Sequence, residues 1–336
     1  MVDTCYRRFE LRDRSYFSLT KKEIRKYALE SGMSEVKLAN MDIVVAEMIS
    51  NVDKYGKEGE LLCKKYVIQG VAYFEILCLD NGVGINDPEK MLIDGNSSTN
   101  SLGIGLGTIK RLSDFFEIYT KEDWGTILLS RIMIKNSDET TSPIRVTPMV
   151  IAMPGQDVSG DGVDFKMERN RFFMLVADGL GHGPLANQAV NEAFRAFRNC
   201  EKDMPQDIIR HIHEAIRKTR GIVASVIVYN LETKKWLVSG VGNIATKFSN
   251  VIRSKSIICY NGIIGHVLPN TINSQELSGI EYPFVTCCSD GIKSRWDMDK
   301  FSNLKRYDPS IQAAAIYKSF GRQTDDMTVA IAKVTG

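Results

Sequence analysis

The stretch that decides the fold of the second half of the chain is residues 172–183, Phe-Phe-Met-Leu-Val-Ala-Asp-Gly-Leu-Gly-His-Gly. Its first six residues form an apolar run of strand length, and Asp178 stands where the strand gives way to a glycine-rich loop. Oxygen ligands suit Mg²⁺ and Mn²⁺, and a neighbouring glycine lets a backbone carbonyl approach the ion. A carboxylate in this position therefore indicates a cage for a hard divalent cation.

Three further motifs of the same kind flank this stretch in the sequence. They are Ser159-Gly160-Asp161 before it, and Ser289-Asp290-Gly291 and Thr324-Asp325-Asp326-Met327-Thr328 after it. Each motif alone is typical of a turn, since Asp-Gly is among the commonest turn pairs. Taken together they supply enough carboxylates for two cations, which can activate a water and clamp a phosphoryl group. The set predicts metal-assisted hydrolysis of a phosphate ester.

The four motifs together resemble the PPM family of metal-dependent serine/threonine phosphatases, in the bacterial branch of SpoIIE and RsbX, over roughly residues 145–335. The resemblance implies a β-sandwich flanked by helices, with two Mn²⁺ or Mg²⁺ ions. The ligands that it implies are Asp178 between the ions, the Gly179 carbonyl, Asp161, Asp290 and Asp325, with Asp326 as the alternative to Asp325. His182 is either the acid that protonates the leaving serine oxygen or a plain loop histidine. No arginine in the sequence is evident as a ligand for the phosphate.

The first half of the chain carries three elements of a different kind. Glu47 and Asn51 are four residues apart on a helix predicted over Lys37–Val52, so they share one helix face. Asp80-Asn81-Gly82-Val83-Gly84 follows a predicted strand, where the Asp can accept a hydrogen bond from an adenine amino group and the glycines let the backbone approach the base. Leu102-Gly103-Ile104-Gly105-Leu106-Gly107 precedes a helix predicted over Thr108–Asp114, an arrangement suited to phosphates.

These three elements, in this order, resemble the ATP-binding GHKL fold, and within it the anti-sigma serine kinases of the RsbT and SpoIIAB kind, over roughly residues 5–135. The resemblance implies ATP with one Mg²⁺, and an ATP lid at 86–102. The residue roles that it implies are Asn51 as Mg²⁺ ligand, Glu47 as general base, Asp80 as adenine partner with Gly82 and Gly84, Gly103, Gly105 and Gly107 as phosphate cradle, and Thr126 behind the adenine. The pattern is neither the Rossmann fingerprint nor a Walker loop.

A length of 336 residues predicts two domains. Residues 136–148 are polar, contain two prolines and lack apolar periodicity. We therefore predict an ATP-binding domain at 1–136, a linker at 137–148 and a phosphatase domain at 149–336. The predicted fold class is α/β and α+β, with an N-terminal α/β sandwich followed by a β-sandwich flanked by helices. The first long helix is predicted over Thr20–Ser31, with Thr20 as its N-cap.

Charge and composition argue against several classes of protein. The net charge of +2 gives no electrostatic reason to expect nucleic acid or a membrane surface as partner. The polar N-terminus and the absence of a long apolar run predict a cytoplasmic protein. The 7 cysteines are an odd number without CxxC spacing, which favours buried reduced thiols, with Cys287-Cys288 inside a strand.

Two functional hypotheses remain open from the sequence. The first is a bifunctional partner-switching regulator, in which a serine kinase-like domain is fused to a protein serine/threonine phosphatase. The family resemblance implies that this phosphatase acts on a STAS-domain partner. The second is a phosphatase whose N-terminal domain only senses ATP or ADP and docks a partner. The presence of Glu47 favours the kinase, because a nucleotide sensor has no need of a general base.

Overall fold

A computed structural model describes residues 5–68, 70–91, 102–135, 142–301 and 303–335. The chain forms two compact units. One comprises Tyr6–Thr141 with Met298–Ala315, and the other comprises Met1–Cys5, Ser142–Asp297 and Ile316–Gly336. The division predicted from the sequence, with its linker at 137–148, stays a prediction. The observed units group Met298–Ala315 with the N-terminal residues, although these residues lie far along the chain.

The first unit is an α/β sandwich built on one antiparallel sheet. Its strands are β1 (Arg7–Glu10), β2 (Gly59–Ile68), β3 (Val71–Asp80), β4 (Phe115–Lys121) and β5 (Gly125–Lys135), and its helices are α1 (Phe17–Glu30), α2 (Glu35–Tyr55), α3 (Pro88–Met91) and α4 (Leu102–Leu112). The strand order is β1-β2-β3-β5-β4. Buried residues of α2 recur every three or four positions, as at Leu38, Met41 and Val45, so one helix face enters the core under the sheet.

Two helix starts differ from prediction. Helix α1 begins at Phe17, and its N-cap position is held by Tyr16, so the N-cap predicted at Thr20 is wrong. A preceding 3₁₀ turn, capped by the Asp13 carboxylate accepting from the Ser15 N–H, leads the chain into the helix earlier. Helix α4 begins at Leu102 rather than Thr108.

The second unit contains two five-stranded sheets. Its strands are β6 (Ile144–Ile151), β7 (Asp161–Glu168), β8 (Arg171–Gly179), β9 (Ile222–Asn230), β10 (Lys235–Val241), β11 (Ala245–Ser249), β12 (Ser254–Ile257), β13 (Gln275–Ser278), β14 (Phe284–Cys288) and β15 (Met327–Val334). The sheet orders are β13-β10-β9-β8-β7 and β12-β11-β14-β15-β6. Helices α5 (Pro184–Asn199) and α6 (Pro205–Ala215) belong to this unit. Of helix α7 (Pro309–Phe320), the residues up to Ala315 are grouped with the first unit and those from Ile316 with the second.

Strand β8 shows why this unit forms a sandwich with helices outside. Its alternate residues Phe173 and Leu175 pack with α5 and α6, whereas Met174 and Val176 join the core that also contains Phe248 and Val285 of the other sheet. Both faces of the strand are therefore apolar, which explains its continuous hydrophobic run. The predicted fold class is confirmed for both units.

The sequence analysis did not predict strand β6 as a whole, because the strand contains Pro148 and directly follows Pro143. Residues 144–148, expected to be part of the linker, pair with β15, and Pro148 lies opposite Ala330. Because β6 is the edge strand of its sheet, the missing N–H of a proline can be tolerated there.

The seven cysteines are free thiols, and Cys287 and Cys288 are buried in β14, as predicted. Among the residues that the structure describes, no helix combines the length and the apolar character needed to cross a bilayer.

Candidate nucleotide and metal sites

Helices α2 and α4 bring together the first group of predicted nucleotide residues. A Cβ on Gly105 would lie 2.8 Å from Glu47 Oε2 and 3.6 Å from Asn51 Oδ1. A larger residue at this point of α4 would require the Glu47 carboxylate to move, so the glycine leaves both side chains in place although its own helix propensity is low. The expectation that the glycines precede the helix is wrong, since Gly103, Gly105 and Gly107 lie within its first two turns.

Strands β3 and β5 position the second group of predicted nucleotide residues. Asp80 ends β3 directly opposite Thr126 on β5. The Asp80 carboxylate accepts a hydrogen bond of 2.8 Å from the Gly82 N–H, which fixes the turn that follows the strand. The Gly125 backbone has a φ of +106°, and a Cβ there would lie 2.0 Å from the Asp80 carbonyl oxygen. The close approach of the two strand ends thus requires a glycine at position 125.

A cavity of about 470 Å³ lies between these elements. Five of the predicted residues line it, namely Asn51, Asp80, Gly82, Gly84 and Thr126. Of the residues that the structure describes fully, Glu47, Gly105 and Gly107 are not part of its lining. Most of the predicted lid, residues 92–101, lies outside the described part of the chain.

The sequence analysis missed the apolar walls of the cavity. Tyr55, Val83, Met91, Leu106 and Leu128 line it beside the polar residues. The helical spacing from Asn51 offered a signal for Tyr55, because residues four apart share a face. The buried Asn51 amide nitrogen Nδ2 has no hydrogen-bond partner among the described residues. A buried donor of this kind is an available contact for a ligand.

The predicted metal carboxylates gather where β7 and β8 meet. Asp161 begins β7 and lies directly opposite Asp178, near the end of β8. Like charges at directly opposed positions destabilise a sheet. Asp161 is also buried, and its Oδ2 atom has no hydrogen-bond partner among the described residues. The pairing is electrostatically unfavourable unless a proton or a cation neutralises it.

Burial, with a smaller contribution from neighbouring carboxylates, raises the pKa values of these two carboxyl groups. Burial, and then the neighbouring Asp161, Asp290 and Asp325, raise the pKa of Asp178 to about 10. Burial also raises the pKa of Asp161 to about 7, an effect that the nearby Ser289 hydroxyl partly offsets. A divalent cation would reverse this effect by favouring the charged forms.

Asp325 and Asp326 have different surroundings. Both oxygens of Asp326 accept backbone N–H groups, from Met153 at 2.8 Å and from Gly160 at 2.8 Å. Asp325 is half-buried and accepts from the Asp326 N–H at 2.9 Å. Asp326 thus anchors the segment that leads to Asp161. In Asp325, the hydrogen bond from the Asp326 N–H occupies only one of the two carboxylate oxygens.

The other predicted residues lie around the same edge. Asp290 is exposed and accepts a hydrogen bond of 2.9 Å from the Asn243 side chain. Gly179 pairs with Ile222 on β9, and His182 is exposed on the loop before α5. Within the described ranges, no three acidic, histidine or cysteine side chains are close enough to hold an ion as they stand. The residues fit a cation by chemistry, through the unpartnered Asp161 oxygen and the mutual repulsion of the carboxylates.

Two curated proteins from Bacillus subtilis (strain 168) are similar to the chain. The serine/threonine-protein kinase RsbT is 31% identical over 102 residues, which are 30% of this chain and 77% of RsbT. The phosphoserine phosphatase RsbX is 30% identical over 90 residues, which are 27% of this chain and 45% of RsbX. No protein-family model matches the chain.

Solved structures also resemble it. A chain from a bacterial stressosome, described as a modular system adapted to control secondary messenger signalling, is 25% identical, with a TM-score of 0.51 over 56% of this chain and 99% of that one. RsbX in complex with magnesium is 19% identical, with a TM-score of 0.51 over 59% of this chain and 98% of that one. The predicted resemblance to both kinds of protein, kinase and phosphatase, is confirmed.

Proposed function

Since the chain belongs to the family of the serine/threonine-protein kinase RsbT and also resembles the phosphatase RsbX, we propose that it is a bifunctional regulator of protein phosphorylation. The second unit removes phosphate from a serine or threonine of a partner protein, using two Mg²⁺ or Mn²⁺ ions. The first unit binds ATP with Mg²⁺ and acts as a serine kinase. The substrate is a STAS-domain phosphoprotein of a cytoplasmic partner-switching pathway.

One observation carries the phosphatase proposal. Asp161 and Asp178 face each other across paired strands at the edge where Asp290 and Asp325 also lie, and burial raises the pKa values of Asp161 and Asp178. These four carboxylates, with the Gly179 carbonyl, would hold the two ions. When bound, the ions supply an activated water and a clamp for the phosphoryl oxygens.

The remaining residues of this edge have supporting roles. Asp326 fixes the backbone before Asp161, so the carboxylates keep their spacing without a ligand role for Asp326 itself. The exposed His182 side chain, four residues after Asp178, can deliver a proton to the leaving serine oxygen. A serine or cysteine nucleophile is not required in this arrangement.

The kinase proposal rests on the packing of α4 against α2. This packing places Glu47 and Asn51 side by side next to Gly105. Asn51 would ligate Mg²⁺, Asp80 would accept the adenine amino group, and Glu47 would take the proton of the substrate serine as general base.

The phosphatase is tested with the full-length protein and a phosphoserine-bearing STAS-domain protein in Mn²⁺. Asp178→Asn removes a carboxylate charge from the proposed metal site, so the rate should fall by at least about 100-fold, more than the loss of a residue that only orients a ligand. Asp203→Asn, the same change at an exposed carboxylate paired with Arg171, should leave the rate unchanged. Near-normal turnover by Asp178→Asn, or full activity in EDTA, would contradict the proposal.

The kinase is tested by transfer of phosphate from ATP to the unphosphorylated STAS-domain protein. Glu47→Gln should abolish transfer while ATP affinity stays within about threefold, because the base acts only in the chemical step. Glu30→Gln, at an exposed surface ion pair, serves as the control. If the wild-type protein binds ATP and transfers no phosphate, the alternative hypothesis of a nucleotide-sensing docking domain is favoured.

A further inference from the structure

An arginine outside the predicted motifs lies beside the carboxylate edge of the second unit. Arg220 stands in the loop after α6, two residues before β9. In the pairing of β8 with β9, Asp178 lies opposite Val223 and Gly179 opposite Ile222. The Leu180 N–H then donates to the Gly221 carbonyl at 3.2 Å, so the pairing continues beyond the strand. This register brings Arg220 next to Gly181.

The side chain of Arg220 occupies the space over that glycine. Gly181 has a φ of +82°, and a Cβ there would lie 3.0 Å from Arg220 Nη1. Gly181 is only three residues from Asp178, on the loop that also carries His182. The guanidinium therefore lies beside the candidate metal loop, and the missing side chain at 181 leaves room for it.

Arg220 differs from two other arginines of the second unit, Arg198 and Arg217, in its ion pairing. Arg198 is bound to Asp164 by hydrogen bonds of 2.6 and 2.8 Å, and Arg217 pairs with Glu214 at 2.8 Å. Arg220 is exposed, and no carboxylate among the described residues forms an ion pair with it. Its five N–H donors are thus available to an anion from solution.

We propose that Arg220 binds the phosphate of the phosphoserine substrate, through the oxygens that take no part in bond cleavage. This inference rests on the proposed phosphatase function. A guanidinium matches a phosphate with two parallel hydrogen bonds, which fixes its orientation as well as its position. Arg220 is thereby a substrate-binding residue that turns the phosphorus toward the Asp161–Asp178 edge.

The test compares wild type, Arg220→Ala, Arg220→Lys and Arg217→Ala as full-length proteins. Two quantities are measured in Mn²⁺: the KM for a phosphoserine peptide, and the dissociation constant of inorganic phosphate by calorimetry. Loss of a charge-assisted pair in Arg220→Ala should raise both by about 10- to 100-fold. Both constants of Arg220→Lys should lie between those of wild type and Arg220→Ala. Lysine keeps the positive charge, but it cannot form the two parallel hydrogen bonds of a guanidinium. Arg217→Ala should match wild type.

Mn²⁺ affinity, measured by electron paramagnetic resonance, separates a substrate role from a structural one. It should be unchanged in Arg220→Ala. The inference is overturned if phosphate affinity in Arg220→Ala stays within twofold of wild type, or if Mn²⁺ affinity falls in parallel. If wild type shows no metal-dependent phosphatase activity, the proposed function fails. The calorimetric comparison of wild type and Arg220→Ala then still decides whether Arg220 binds phosphate.

Discussion

Arg131 in β5 is the place where a single substitution should destabilise the first unit most. It is 2% exposed and lies on the side of the sheet that carries Met298–Ala315 in this unit. Its Nε donates to Glu75 at 2.5 Å, and its two terminal nitrogens donate to Asp308 at 2.9 and 2.7 Å. Burial alone would lower the pKa of Arg131, but Glu75 and Asp308 raise it above its usual value. The guanidinium therefore stays charged and neutralises two carboxylates.

The change Arg131→Met keeps the volume and removes the charge. Breaking a buried ion pair by removing one partner costs about 3–5 kcal/mol, because the other charge stays buried without compensation. Here two carboxylates are left, although Ser310 and Tyr6 still donate to Glu75. We expect the upper part of that range, which is a large fraction of a typical domain stability of about 5–15 kcal/mol.

The assay is denaturant unfolding of the full-length protein, followed by hydrogen exchange in peptides from β3 and β5. Arg25→Met is the matched control, since Arg25 pairs with Glu35 and Asp42 at the surface, and its loss should cost about 0–1 kcal/mol. The triple variant Glu75→Gln, Arg131→Met, Asp308→Asn removes all three charges and should recover part of the loss. Equal effects of Arg131→Met and Arg25→Met would refute the reasoning.

Three further outcomes are expected. Asp80→Asn should weaken Mg-ATP binding by roughly 1.5–3 kcal/mol in calorimetry, the loss of a charge-assisted hydrogen bond, while Asp53→Asn at a surface pair should not. Gly125→Ala should lower the melting temperature and reduce nucleotide affinity, since its Cβ would lie 2.0 Å from the Asp80 carbonyl oxygen. Burial lowers the pKa of His213, whose Nδ1 accepts the Gly265 N–H, so the folded state favours the neutral ring. The free energy of unfolding should therefore fall as pH drops below the unfolded pKa of about 6.5, and His213→Gln should flatten this dependence in urea titrations at several pH values.

Much of this protein was determined by local sequence. The apolar run before Asp178 predicted a strand, because its six residues have strand length and are bounded by a glycine-rich loop. The four-residue spacing of Glu47 and Asn51 specified one helix face, because an α-helix turns every 3.6 residues. The position of Asp80 at the end of β3 followed in the same way from the apolar run before it. All three predictions depended only on residues that are neighbours in the sequence.

Tertiary structure decided what depends on contact between distant segments. The pairing of Asp161 with Asp178, and the approach of the Arg220 side chain to Gly181, depend on how separate strands align, which no single segment determines. Helix α4 runs through its glycines, and Gly105 lies against Glu47 of α2, although a glycine inside a helix costs about 1 kcal/mol relative to alanine. Arg131 and Asp308 meet across 177 positions of sequence, and only the folded chain makes that buried ion pair possible.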